Sequence, residues 1–239
     1  PSTSGSAKRT PMTIATEATG QPEPQPQPQG TDFQLATAPI PSFGALLQER
    51  AKVFAEKSTL DAFETQVTAL GEGGEEGRRR GLGLWMTGHN DQAVTALAAY
   101  PDDDVASFTR ANALMALDRE AEAQPIFEAL TAKYPEEPRP RGAAMDAQFE
   151  ATAKKDGEGA AGDALEAALG QAPESFNESA EGKYLTGRLA EARLDHQTAM
   201  DCYRAAREVD PSHSRNLFRL AFVAERYGHE DLALECYET

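Results

Sequence analysis

Basic residues, cysteine and long apolar runs are all scarce in this 239-residue chain, and each scarcity removes a class of function. Lys and Arg number 23 against 39 Asp and Glu, a formal net charge of -16 at pH 7. A surface so acidic repels nucleic-acid phosphates and anionic lipid, so direct nucleic-acid binding is not expected. Cys202 and Cys236 are the only cysteines, too few for a disulfide framework. No stretch approaches the roughly 20 apolar residues that span a bilayer, and residues 1–20 lack the apolar centre of a secretory signal. A cytoplasmic chain with no membrane partner is the expectation. The first residue is Pro1 rather than Met, as in a fragment or a processed form.

Residues 1–40 hold few large apolar side chains and include Pro22, Pro24, Pro26 and Pro28 at alternate positions. A segment of this kind cannot bury enough apolar surface to offset its ordering entropy, which predicts a disordered tail. From Ser42 the pattern changes. Phe43, Leu46, Leu47, Ala51 and Phe54 recur at helical intervals, then Leu60, Phe63, Val67 and Leu70, which predicts two short helices or one bent helix over residues 41–73. Ser58 is the expected cap of the second stretch and Gly71 its stop. Beyond the glycine-rich residues 71–77 the chain is alanine-rich at helical period, with no alternation of the kind a strand needs.

A fixed offset organises that remainder. Ala199 and Ala233 lie 34 residues apart, as do Tyr203 and Tyr237, Gly187 and Ala221, and Cys202 and Cys236. Within each unit a small residue precedes an alanine by twelve positions: Gly81 and Ala93, Ala111 and Ala123, Gly187 and Ala199, Ala221 and Ala233. Four residues after the second alanine comes Leu97, Phe127, Tyr203 or Tyr237, and twelve after it comes Pro135 or Pro211. Phe149, Ala161, Leu165 and Pro173 reproduce the ruler in the middle of the chain, with Phe149 in the small-residue place. In the first unit the exit proline, Pro101, arrives only eight residues after Ala93, which predicts a second helix about one turn short.

This pattern resembles the tetratricopeptide repeat family. The physical need behind it is that paired helices approach to roughly 8–10 Å only where small side chains meet, while a ring one turn on fills the gap to the next unit. The resemblance implies an all-α solenoid of antiparallel helix pairs behind the tail, covering residues 74–239. Its units would be about 74–103, 104–137, a degenerate 142–175, 180–213 and a truncated 214–239. The run Asp210-Pro211-Ser212-His213 leading into Asn216-Leu217-Phe218-Arg219-Leu220-Ala221 also resembles bacterial members of the family that carry a domain like the C-terminal one of RNA polymerase alpha, which implies a transcription-linked assembly.

No nucleophile, base and orienting group fall together in this sequence, so no catalytic residue, metal site or cofactor is expected. His89, His196 and His229 fall at turns about 10 Å apart from unit to unit, too far for shared zinc ligation. Cys202 and Cys236 occupy equivalent columns, too distant for a disulfide. Asp102-Asp103-Asp104 reads as a helix cap, and Arg78-Arg79-Arg80 as a solvated helix face. The family resemblance implies a scaffold that binds a peptide or partner helix in the groove lined by the first helix of each unit. By column, the groove residues would be Arg78, Phe108, Tyr184 and Phe218, with Leu82, Asn112, Arg188 and Phe222 in the next row. Those residue types do not match the lysine and asparagine set with which some members grip a terminal carboxylate. The alternative is a structural module that organises its own oligomer. Self-association is expected at the C-terminal end, where Leu232, Cys236 and Tyr237 would face open space.

Overall fold

The computed structural model describes residues 31–238, and within them it contains helices and no strands. Thirteen helices follow in order: α1 (Phe43–Phe54), α2 (Lys57–Ala69), α3 (Gly74–Met86), α4 (Asn90–Leu97), α5 (Asp104–Met115), α6 (Glu120–Lys133), α7 (Pro138–Asp156), α8 (Glu158–Gln171), α9 (Glu174–Asn177), α10 (Ala180–Ala192), α11 (His196–Val209), α12 (Ser214–Arg226) and α13 (Glu230–Glu238). Successive helices pair, and the second helix of a unit packs on the first helix of the next: α4 on α5, α6 on α7, α8 on α10 and α11 on α12. The architecture is the solenoid of helix pairs that the repeat resemblance implies.

The twelve-and-four ruler has a direct steric cause. A Cβ added to Gly187 would lie 2.4 Å from the Tyr203 ring, and one added to Gly81 would lie 2.5 Å from Leu97 Cδ2, so the small residue and the large one sixteen positions later meet at the crossing. The first unit is short, by more than the one turn expected, because α4 has 8 residues where α6 and α11 have 14. Helices α7 and α8 occupy the stretch expected to hold the degenerate unit. Phe149, in the small-residue place, and Leu165 are both buried in the same apolar cluster.

Three local expectations change. The tail expected over residues 1–40 falls in part outside the described residues, which begin at 31, but residues 31–40 pack firmly. Leu35 is fully buried against Gly83 and Val67, its amide donates to Gln66 Oε1 at 2.9 Å, and Phe33 stacks on Phe63. Phe33, Leu35 and Ile40 suffice because α2 and α3 offer them a seat. Arg78-Arg79-Arg80 is not a solvated face either. Arg79 Nη1 donates to the carbonyls of Leu35 and Ala38 at 2.8 and 2.7 Å, Arg78 pairs with Glu75 and Asp103, and Arg80 pairs with Glu72. Ser58 lies inside α2, which begins at Lys57 behind Glu56, and its hydroxyl bonds to the Glu56 carboxylate instead of to free amides. Of the Asp run, Asp103 caps α5 by accepting from the Ala106 amide at 2.7 Å.

The buried apolar residues form two clusters that divide within α7: one runs from Leu35 to Ala147, the other from Phe149 to Cys236. Helix α7 is thus the apolar connection between the two halves, and what joins them across the inner face is polar.

Candidate functional site

The first helices α3, α5, α7, α10 and α12 share one face, and that face is concave. The curvature is close enough that Arg215, on the last of them, reaches Asn112 on the second at 3.4 Å and Asp146 on the third at 2.8 Å. Helix α1 lies across the N-terminal half of this face. Phe43 stacks on Phe108 with ring centroids 4.7 Å apart and meets Tyr134 edge-on, while the Arg50 guanidinium packs on the Trp85 ring and its Nε donates to the Trp85 carbonyl at 3.2 Å. The remaining half of the concave face is open as a cavity of about 450 Å³.

At its floor is an ion network. Asp146 is buried and receives hydrogen bonds from Tyr184 Oη at 3.2 Å, Arg188 Nη1 at 3.0 Å and Arg215 Nη1 at 2.8 Å. One turn along α7, Glu150 accepts from Arg188 at 2.9 Å and Arg219 at 3.4 Å. Burial works against the charge of Asp146, but Arg215 and Arg188 outweigh it and hold the carboxyl below its usual range. Tyr184 is pushed up to about 12, first by burial and then by the Asp146 charge, so it stays a neutral donor. Arg188 is held charged: burial opposes its charge, but Tyr184, Asp146 and Glu150 more than offset that, and it lies 4.3 Å from the Phe149 ring centroid.

Beside this network His213 caps α12, its Nδ1 accepting from the Asn216 amide at 3.2 Å. Its ring stacks on Tyr184 at 5.1 Å. Burial, then the neighbouring charges of Arg139 and Arg215, push it down to about 4, so it is neutral at pH 7. Arg139 ties this corner together by pairing with both Glu181 and Asp210.

Of the residues expected to line a groove, Phe108, Asn112, Tyr184, Arg188 and Phe218 do surround the cavity. They differ in availability. Phe108, Tyr184 and Arg188 are buried and already engaged, whereas Phe218 is 58% exposed. Arg78 lies apart, committed to Glu75 and Asp103, and Phe222 is exposed on α12 outside the cavity with Arg226 over its ring. The sequence reading missed Arg50, Asp146, Glu150, Arg215 and Arg219. A signal was present: Asp146 and Glu150 are one turn apart, as are Arg215 and Arg219, and each acid lies 69 residues before the arginine it meets. Among the described residues no group of three His, Cys, Asp or Glu side chains is placed to hold a metal ion, and no helix is long and apolar enough to cross a membrane.

No protein-family model and no curated protein matches the chain. Among solved structures, a crystal structure of MamA overlaps it with TM-score 0.38 at 18% identity, covering 66% of this chain and 90% of that one. A MamA crystal form from AMB-1 gives 0.37 at 18% identity over 68% and 86%, and a MamA double mutant from RS-1 gives 0.30 at 16% over 82% and 88%. Overlaps this loose carry no functional inference.

Proposed function

We propose that the chain is a protein-interaction scaffold that holds a peptide or partner helix in the C-terminal half of its concave face. The observation that carries this reading is the open cavity with Phe218 on its wall, since a large exposed ring beside a concavity is the usual anchor of a binding surface. Helix α1 supports it from the other half, where a helix already lies across the same face. Tyr184, expected to be a contact, serves as support for the floor and is unsuited to a test, because truncating it would leave Asp146 and Arg188 short of a partner. Peptides selected from a displayed random library against the whole chain should compete for one site and lose it on Phe218→Ala. Peptides that bind the variant equally would count against the groove. The reading keeps the chain in the cytoplasm, without enzymatic activity and without direct contact to nucleic acid; a transcription-linked setting rests on the sequence resemblance alone.

A second reading, self-association, rests on the last helix pair. Of the residues expected to face open space there, Cys236 is buried and Leu232 packs on the core, because both turn towards α11 and α12, and only Tyr237 is exposed. Phe222 and Leu234 are exposed with it, although the residues 34 positions earlier, Arg188, Met200 and Tyr203, are buried against their neighbours. An apolar face of this kind favours association. Sedimentation of the 239-residue chain should show a species larger than the monomer that Phe222→Asp with Leu234→Asp abolishes. A wild-type chain that stays monomeric across the concentration range would end this reading.

A further inference from the structure

Five arginines and five carboxylates line the cavity, and all but one are paired within the chain. Arg139 is taken by Glu181 and Asp210, Arg188 and Arg215 by Asp146, Arg219 by Glu150, while Asp118 and Glu120 meet Lys154. Arg50 is the exception. Its guanidinium is packed against the rings of Phe54 and Trp85, 5.1 and 4.9 Å from their centroids, and its Nε donates to a carbonyl. Its two terminal nitrogens have neither a carboxylate nor any other hydrogen-bond partner among the described residues. Burial and the facing charge of Arg215 both work against its positive charge. A half-buried guanidinium with a like charge nearby and no anion between them lacks a partner, and one carboxylate placed there supplies it.

We propose that the cavity takes an acidic side chain of a partner peptide between Arg50 and Arg215, with apolar residues of the same peptide on either side. The inference rests on the groove reading above and names the chemistry of its ligand. The two arginines stand on opposite walls, on α1 and α12, so a carboxylate between them bridges the walls. Asn112, whose Oδ1 already touches Arg215, adds a polar contact. Leu47 and Met115 on one side and Phe218 on the other give the flanking apolar seats. Arg50 lies outside the repeat and Arg215 is already committed to Asp146, so the overall repeat pattern gives no hint of the pair.

The probe is a random peptide library displayed with each peptide's C-terminus fused to the carrier, so that only side-chain carboxylates are offered, panned on the whole chain. A selected peptide is then synthesised with an amidated terminus. The expected result is enrichment of Asp or Glu beside apolar residues, and an affinity loss of about tenfold or more on Arg50→Gln, with Arg50→Lys losing less. Changing the peptide's own acid to its amide should cost as much on the wild-type chain, and that comparison stands even if Arg50→Gln fails to fold by circular dichroism. Peptides without acidic preference that bind Arg50→Gln as well as wild type, yet lose affinity on Phe218→Ala, overturn this inference and leave the groove intact. Binding only by peptides with a free C-terminus, from a second library, overturns the side-chain assignment. Peptides indifferent to Phe218→Ala overturn both.

Discussion

At the scale of single residues, four turns ask for a left-handed backbone at the same place, seven positions after the small residue of each unit: Gly88 at φ 85°, Asp118 at 58°, Leu194 at 61° and Gly228 at 78°. The following amide closes each first helix by reaching back to the carbonyls of Leu84, Leu114, Ala190 and Ala224, the bond pattern of a Schellman cap. A leucine is strained there, and Leu194 gains nothing in return because its side chain is 76% exposed. Leu194→Gly should therefore raise unfolding stability by about 1 kcal/mol in a denaturant titration, against the usual cost of glycine; a loss would mean the turn is not strained. His213 carries a second residue-scale consequence. Its folded pKa, about 4, lies below the 6.5 of the free side chain, so between those values the unfolded state binds the extra proton and stability falls as pH falls. The expected loss is on the order of 2 kcal/mol between pH 7 and 5. Buried Glu181, whose Oε1 lies 3.9 Å from the His213 ring, has its carboxyl pushed up by burial and acts in the opposite direction, while Arg139, Arg215, Asp210 and Asp146 complete the surroundings. The readout is accordingly the difference between wild type and His213→Gln. Equal pH profiles for the two would contradict the burial of that ring.

At the scale of elements, helix α1 and the ordered residues before it decide how much of the concave face is free. Leu35 is the peg of that arrangement, held over α3 with Arg79 gripping two backbone carbonyls beside it. Leu35→Ala should cost about 2–5 kcal/mol locally and speed hydrogen exchange in residues 43–54 well before α5 or α10 is affected. Uniform exchange across all helices would show that α1 is not a separable layer. The helix pairs themselves were legible in the sequence because a crossing needs a small residue and a ring at fixed distances, and Gly187 with Tyr203 records that need without ambiguity. The packing of residues 31–40 was not legible. Its seat is made by Gly83 and Val67 on other helices, and composition alone weighs a segment's own apolar content against its entropy. The three adjacent arginines misled for the same reason, since beside the nearby Glu72 and Glu75 their partners Leu35, Ala38 and Asp103 come from other parts of the chain.

At the scale of the whole molecule, the two apolar clusters meet at α7 and the concave face is braced by charges between α7, α10 and α12. Phe108, Asn112, Tyr184, Arg188 and Phe218, named from the family columns, line one cavity, but columns assume an empty groove. They could not show that α1 fills half of it, nor that Tyr184 and Arg188 are spent on Asp146. Where the remaining half lies is the central point of the account, and two side chains of similar exposure separate it from a general stickiness of the surface. Phe218 is 58% exposed on the cavity wall, and Val209 is 53% exposed at the end of α11, away from the cavity. Neither contributes much to the core, so Phe218→Ala and Val209→Ala should both fold with near wild-type stability. The deciding measurement is titration of one selected peptide against the wild type and both variants. The account predicts a loss of about tenfold or more for Phe218→Ala and none for Val209→Ala; equal affinities for the two variants, or a larger loss for Val209→Ala, would contradict it.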